Sequence, residues 1–194
     1  MKILFAKTYE SNSAKERIAK TIGRERANQI YYELLLCLKP LLRSDDWCIY
    51  FTGNDTPGLL EFLVTNNKIN FRLQKGNDLG ERLRNAAELE FSLGTRHLLF
   101  IGTDCPFLTP TDLVWAEQQL QSSDAVCLPA VDGGYVLIGL RPKALPLLSA
   151  TLWSQSGLLN ETLELAQQNN ISVALGKMFK DIDTFEDYQT WKAT

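Results

Sequence analysis

Histidine is almost missing from this chain: His97 is the single one in 194 residues. It opens the apolar run HLLFIG, at the amino-terminal end of a strand and away from the carboxyl edge where α/β sheets bind ligands. A Ser-His-Asp or Cys-His centre is disfavoured for want of a placed base. The four cysteines, Cys37, Cys48, Cys105 and Cys127, make no C-x-x-C pair and no metal-finger spacing. Cys37, Cys48 and Cys127 sit in apolar runs and read as small buried hydrophobes, and free thiols suit a reducing compartment. There is no G-x-G-x-x-G for a dinucleotide and no G-x-x-x-x-G-K-[ST] phosphate loop. A basic excess is absent too. Lys and Arg number 20 against 23 Asp and Glu, a net charge of −3, which argues against nucleic acid as a partner. No apolar run reaches membrane-spanning length, and the one after Met1 is too short for a signal peptide. The expectation is a cytoplasmic protein without a membrane span, forming one domain over residues 1–194.

What the chain does have is alternation. Short apolar runs predict strands at Lys2–Ala6, Trp47–Thr52, Ile69–Gln74, His97–Gly102, Ala125–Pro129, Tyr135–Leu140 and Ile171–Leu175. Between the first two, Ile18, Ile22, Ile30, Leu34, Leu35, Leu38 and Leu41 recur at helical spacing, with Gly23 a possible break and Pro40 an end. Further helices are predicted at Asp78–Leu93, Thr111–Leu120 and Ser156–Gln168. Thr109 before Pro110 is an N-cap sequence, and Thr184 caps a last helix with Glu186 and Asp187 in its first turn. This order predicts an α/β fold: a single-domain, Rossmann-like, mostly parallel doubly wound sheet.

The unusual polar residues follow the strands. Lys7 to Arg17 follows the first strand, Gly76-Asn77-Asp78 the third, Thr103-Asp104 the fourth and Asp132-Gly133-Gly134 the fifth, with Asp181-Ile182-Asp183 after the last. A doubly wound sheet brings such segments to one edge. Carboxylates with basic residues and no histidine fit a divalent cation and a phosphorylated ligand. Each piece alone also has a plain reading. Asp104 can cap a turn, Lys15 and Arg17 can lie on a solvated helix face, and Asp132-Gly133-Gly134 is a good turn sequence. Asp181 to Asp187 can be the start of a helix. Cys105, between a carboxylate and Pro106, reads as packing rather than as a nucleophile.

Taken in order, FAK…KERIAKTIG, GNDLGERL, IGTDCPFLTP, DGGYVLIGL, LWS and DIDTFEDY resemble a bacterial family of GT-A-like proteins. That family is described as nucleotide-diphospho-sugar transferase-like, or as a glycosyltransferase-like domain of unknown function. It is related in fold to the nucleotidyltransferases of molybdenum-cofactor and coenzyme F420 synthesis, and some members are associated with arsenosugar pathways. The resemblance runs from Ile3 to Tyr188. It implies a nucleotide-diphospho-sugar transferase fold, a nucleotide or nucleotide-sugar ligand, a small-molecule acceptor, and Mg²⁺ or Mn²⁺ as cofactor.

The family's first loop reads P-x-P-G-x-V-K-T-R-L. Here it is YESNSAKERI, so Lys15 and Arg17 persist while Ser11 and Asn12 replace Pro-Gly. The resemblance implies that Lys15 and Arg17 neutralise phosphates, that Asp104 holds the metal, and that Asp183 is a second acidic position on its metal side. Two family acids before the paired glycines are reduced to Asp132, with Val131 in place of the first, and Phe185 replaces a proline in DIDTFED. Asp132 is then the candidate to position the acceptor or take its proton, with Lys15 and Arg17 beside it in the catalytic set. Gly133 and Gly134 allow close approach of the backbone to substrate. Asp78 and Arg82 bind base, ribose or sugar, although an Asp78-capped helix with an outward Arg82 reads equally well. Lys7, Thr103 and Tyr135 complete the ligand-binding set. The favoured expectation is metal-dependent transfer from a nucleotide sugar. Nucleotidyl transfer from an NTP, or nucleotide binding without turnover, are the alternatives.

Overall fold

Apolar runs without polar alternation become strands when both faces of a sheet are covered, and that is their fate here. The computed structural model describes residues 1–44, 46–54, 56–64 and 69–193. Its strands are β1 (Lys2–Lys7), β2 (Trp47–Thr52), β3 (Asn70–Leu73), β4 (Leu98–Ile101), β5 (Ala125–Pro129), β6 (Tyr135–Leu140) and β7 (Val173–Leu175). The helices are α1 (Glu16–Ile22), α2 (Arg24–Leu38), α3 (Leu79–Ser92), α4 (Pro110–Gln119), α5 (Leu158–Gln168) and α6 (Phe185–Lys192). The strands form one seven-stranded sheet in the order β3-β2-β1-β4-β6-β5-β7. This is the mostly parallel α/β sheet that the sequence predicts. Among the described residues no helix is long and apolar enough to cross a membrane.

Strand β6 runs antiparallel to both β4 and β5, while the other pairs are parallel. The reason is chain length. Residues 130–134 join β5 to β6, far too few for the crossover that a parallel neighbour needs. They close a hairpin through Ala130 N–H to Gly134 O at 3.0 Å and Gly133 N–H to Ala130 O at 3.1 Å. Its tip therefore stands at the carboxyl end of β5, on the same edge as the ends of β1 and β4.

Alternate side chains divide the core. Leu4, Ile49, Ile101, Val126 and Leu137 pack with Leu35 and Leu38 of α2 and Ala116 of α4 on one face. Ile3, Cys48, Phe100, Cys127 and Ile138 pack with Leu83 of α3 and Ala166 of α5 on the other. A third cluster joins Ile18, Ile30, Leu34, Ile182 and Tyr188. It ties α1, α2 and α6 together and pins the chain just before α6.

Helix starts follow their cap sequences. Thr109 and Thr184 each form a reciprocal capping box, with Asp112 and Asp187. Asp78 caps α3 by accepting from Glu81 N–H at 2.9 Å. Gly23, at φ +85°, separates α1 from α2, and a side chain there would meet nothing within 4 Å. Its backbone angle, not space, calls for glycine. His97 O accepts from the Met1 ammonium, which places His97 at the edge opposite the polar clusters.

Candidate functional site

The loop after β1 begins as a tight 3-10 turn, Tyr9–Ser11. Ser11 Oγ donates to Thr8 O at 2.7 Å, and Lys7 Nζ donates to Ser13 O at 2.7 Å, so Lys7 fastens this loop. Two residues of the loop are left-handed: Asn12 at φ +51° and Lys15 at φ +52°. The glycine of the family pattern falls on Asn12, and asparagine tolerates this conformation better than most residues. Lys15 has no such excuse, and a non-glycine residue held there costs on the order of 1–2 kcal/mol. What the strain accomplishes is direction. The Lys15 side chain is turned inward and only 4% exposed, with Nζ 2.8 Å from Asp104 Oδ1 and 3.9 Å from Asp183 Oδ1. It also donates to Ile182 O at 2.5 Å.

Asp104 leaves β4 at its carboxyl end. Its Oδ1 also accepts from Thr103 Oγ1 at 3.0 Å, and its backbone O accepts from Ile182 N–H at 2.9 Å. Asp104 therefore does not cap the turn; it holds Lys15 and the 181–183 segment. Ile182 is buried, so in this extended stretch the flanking Asp181 and Asp183 both face the other way. Arg17, with a side chain 65% exposed, pairs with Asp183 Oδ2 at 3.0 Å.

Asp132, at the hairpin tip, completes the edge. Its Oδ1 accepts from Gly134 N–H at 2.9 Å. Carboxylate oxygens of Asp132, Asp181 and Asp183 lie within 4.8 Å of one another. Burial, followed by the charges of Asp183 and Asp132, pushes the Asp181 carboxyl up to about 6. Burial and the neighbouring Asp104 also push Asp183 up, against Lys15 and Arg17. Three hard oxygen donors with too little positive charge around them suit Mg²⁺ or Mn²⁺. Cys105 is buried and its thiol is pushed up to about 11 by that burial; it is neither a ready nucleophile nor a soft ligand.

The acids and Arg17 rim a cleft of about 260 Å³ whose inner wall is Phe5, Leu83, Phe100, Tyr135, Trp153 and Leu158. Tyr135 and Trp153 meet edge to face, with centroids 6.1 Å apart. A second cleft extends toward the ends of β2 and β3, lined by Lys7, Thr103, Gln74 and Arg82, and shares Arg17, Asp104 and Asp183 with the first.

The structure thus brings together Lys15, Arg17, Asp104, Asp132 and Asp183, with Lys7, Thr103, Arg82, Gly134 and Tyr135 around them. Asp78 stands apart: it caps α3 and lines neither cleft. Arg82 lines the second cleft while its Nε donates to Gly76 O at 3.0 Å. Gly133 is packed against the start of α5. It sits at φ +93°, and a side chain on it would meet Gly157 N at 3.0 Å. The expected metal pair also divides. Asp183 belongs to the three-carboxylate group, whereas Asp104 is paired with Lys15. Asp181 is the residue that the sequence reading missed. Its signal was the Asp-Ile-Asp alternation, in which a buried Ile182 fixes both acids on one face.

Residues 39–155 match the model of a family described as "Uncharacterized protein conserved in bacteria (DUF2064)". No curated protein matches the chain in sequence. Among solved structures, one from Desulfovibrio desulfuricans G20, described as a "putative nucleotide-diphospho-sugar transferase", is 28% identical. The match covers 98% of this chain and 85% of that one, with a TM-score of 0.86. A 4-diphosphocytidyl-2C-methyl-D-erythritol synthase from Anaerococcus prevotii DSM 20548 shares the fold at 13% identity and a TM-score of 0.64, over 100% and 95% of the two chains. Rv0371c from Mycobacterium tuberculosis H37Rv, in complex with manganese, does so at 11% and 0.57, over 97% and 96%. The fold is that of nucleotide-diphospho-sugar transferases and nucleotidyltransferases.

Proposed function

The chain belongs to the DUF2064 family, and from that premise we propose that it transfers a group from a nucleotide-activated donor, a nucleotide sugar, to a small-molecule acceptor. The observation that carries this reading is the meeting of Asp132, Asp181 and Asp183 with Lys15 and Arg17 at the carboxyl edge of the sheet. Asp132, Asp181 and Asp183 would hold Mg²⁺ or Mn²⁺, which supplies positive charge against the donor's diphosphate. Few protein ligands suffice, because such cations commonly keep water and substrate phosphates in their shell.

The chain's own residues do the rest. Arg17, largely exposed, is free to move from Asp183 onto the leaving nucleoside diphosphate, where water screens its charge and keeps its contribution modest. Asp132, fixed through Oδ1 by Gly134 N–H, would position the acceptor hydroxyl beside the cation it helps to hold. Tyr135 and Trp153 wall the cleft and exclude water from the acceptor's apolar side.

Nucleotidyl transfer is the second reading, favoured by the left-handed Lys15 just before α1. Such turns gather backbone N–H groups into anion-binding concavities suited to pyrophosphate. A thermal-shift panel of nucleotides and nucleotide sugars, with and without Mn²⁺, followed by mass analysis of products, tests both. A nucleoside diphosphate product supports glycosyl transfer, and pyrophosphate supports the second reading. Binding without any product removes catalysis and leaves a nucleotide-binding protein.

A further inference from the structure

Lys15 is the most buried cation of the site, at the margin of the second cleft, and its ammonium is engaged by the protein rather than offered to a phosphate. Its ammonium lies among oxygens: Asp104 Oδ1 at 2.8 Å, Ile182 O at 2.5 Å and Asp183 Oδ1 at 3.9 Å. Two carboxylates and a carbonyl are the donors that a hard cation uses. The same Asp183 also belongs to the group of three carboxylates whose oxygens converge within 4.8 Å. One aspartate therefore faces two cation positions, one filled by an ammonium and the other shaped for a metal.

The charges at this edge are those of Asp104, Asp132, Asp181 and Asp183 against Lys15 and Arg17. Arg17 is exposed and screened by water, so its influence is weak. Lys15 is enclosed, and its charge acts on Asp183 through little solvent. A divalent cation drawn to Asp183 must share that carboxylate with an ammonium of the same sign.

Resting on the reading that the three carboxylates hold a divalent cation, we propose that Lys15 is a built-in counter-cation that competes with the metal for Asp183 and is released from the carboxylates when the metal binds. Without metal, Lys15 ties the loop after β1 to β4 and to the 181–183 segment, and keeps the acidic edge folded. With metal, its long stem carries the ammonium toward the second cleft, which Lys15 also lines. Metal loading and delivery of Lys15 to an incoming phosphate then become one event.

Two measurements on the metal alone test this. In wild-type protein, amine acetylation followed by peptide mass analysis should find Lys15 protected, and saturating Mn²⁺ should raise its labelling several-fold. This needs no variant and no fold change. Calorimetric titration with Mn²⁺ should show Lys15→Gln binding about tenfold tighter than wild type, and Lys15→Arg, which keeps the charge, binding no tighter. A purely structural lysine predicts the reverse, since Lys15→Gln would loosen the edge and weaken Mn²⁺. Unchanged labelling with Mn²⁺ bound, or Lys15→Gln binding no tighter, overturns the inference and leaves the cation reading intact. No Mn²⁺ bound by wild type or Lys15→Gln overturns both.

Discussion

Gly133 and Gly157 meet backbone against backbone, so close that a methyl group on Gly133 would lie 3.0 Å from the Gly157 nitrogen. One residue pair thereby joins the hairpin tip carrying Asp132 to the start of α5. Gly133 O also accepts from Leu159 N–H at 2.9 Å. Replacing Gly133 by alanine places a Cβ at φ +93° and forces this contact apart. The expected loss is about 1–3 kcal/mol, read as a lower midpoint in urea unfolding. A midpoint equal to wild type would mean that the hairpin and α5 separate freely.

Asp181 gives a prediction with a definite pH window. Its carboxyl is pushed up to about 6 in the folded chain from an ordinary value of about 4 when unfolded. A raised acid binds its proton more tightly in the native state, so stability falls as pH rises from about 4 to 6 and stays reduced above that. Asp181→Asn removes the ionised form. The metal-free variant should therefore be more stable than wild type at pH 8, by about 1 kcal/mol after allowance for solvent screening, and no more stable at pH 4. Thermal melts at the two pH values in EDTA decide it. A gain that is equal at both would show that charge crowding is not the cause.

Glu90 supplies a contrast, since it lines neither cleft. Its side chain is 1% exposed, accepts from Tyr50 OH at 2.8 Å and pairs with Arg72 Nε at 3.1 Å. Glu90→Ala should cost roughly 2–4 kcal/mol, because it strands a partly buried guanidinium and a buried hydroxyl. Mn²⁺ affinity should not change. A calorimetric change there would indicate that α3 communicates with the acidic edge.

The sequence made some of this legible and hid the rest for physical reasons. Thr109 and Thr184 could be read as caps because capping is local chemistry, complete within four residues. The strand positions were visible as apolar runs. The direction of β6 was not, since a strand buried on both faces looks alike whichever way it runs; only the shortness of the 130–134 link carried that information. In the site, placement beyond strand ends was enough to gather Lys15, Asp104, Asp132 and Asp183. It could not say which oxygen faces which cation. That depends on the backbone angle of Lys15 and on Ile182 entering the third apolar cluster. Asp78 shows the limit of the same reasoning, for this residue beyond a strand simply caps the next helix.

Asp104 and Asp183 can be separated by one paired experiment. The sequence reading gave both to the metal. In the structure Asp104 Oδ1 takes the Lys15 ammonium at 2.8 Å and Thr103 Oγ1 at 3.0 Å, while Asp183 lies in the three-carboxylate group. Asparagine at 104 keeps an oxygen to accept these bonds but removes the charge that compensates a buried lysine. Asp104→Asn should therefore lower stability by about 1–3 kcal/mol and retain the metal dependence of nucleotide binding. Asparagine at 183 removes a charge that the cation itself needs, so Asp183→Asn should lose that dependence. The measurement is titration of wild type and both variants with the tightest-binding nucleotide found in the thermal-shift panel, each with Mn²⁺ and with EDTA. If Asp104→Asn binds equally in Mn²⁺ and EDTA, the metal sits on Asp104, and Lys15 must already have left it.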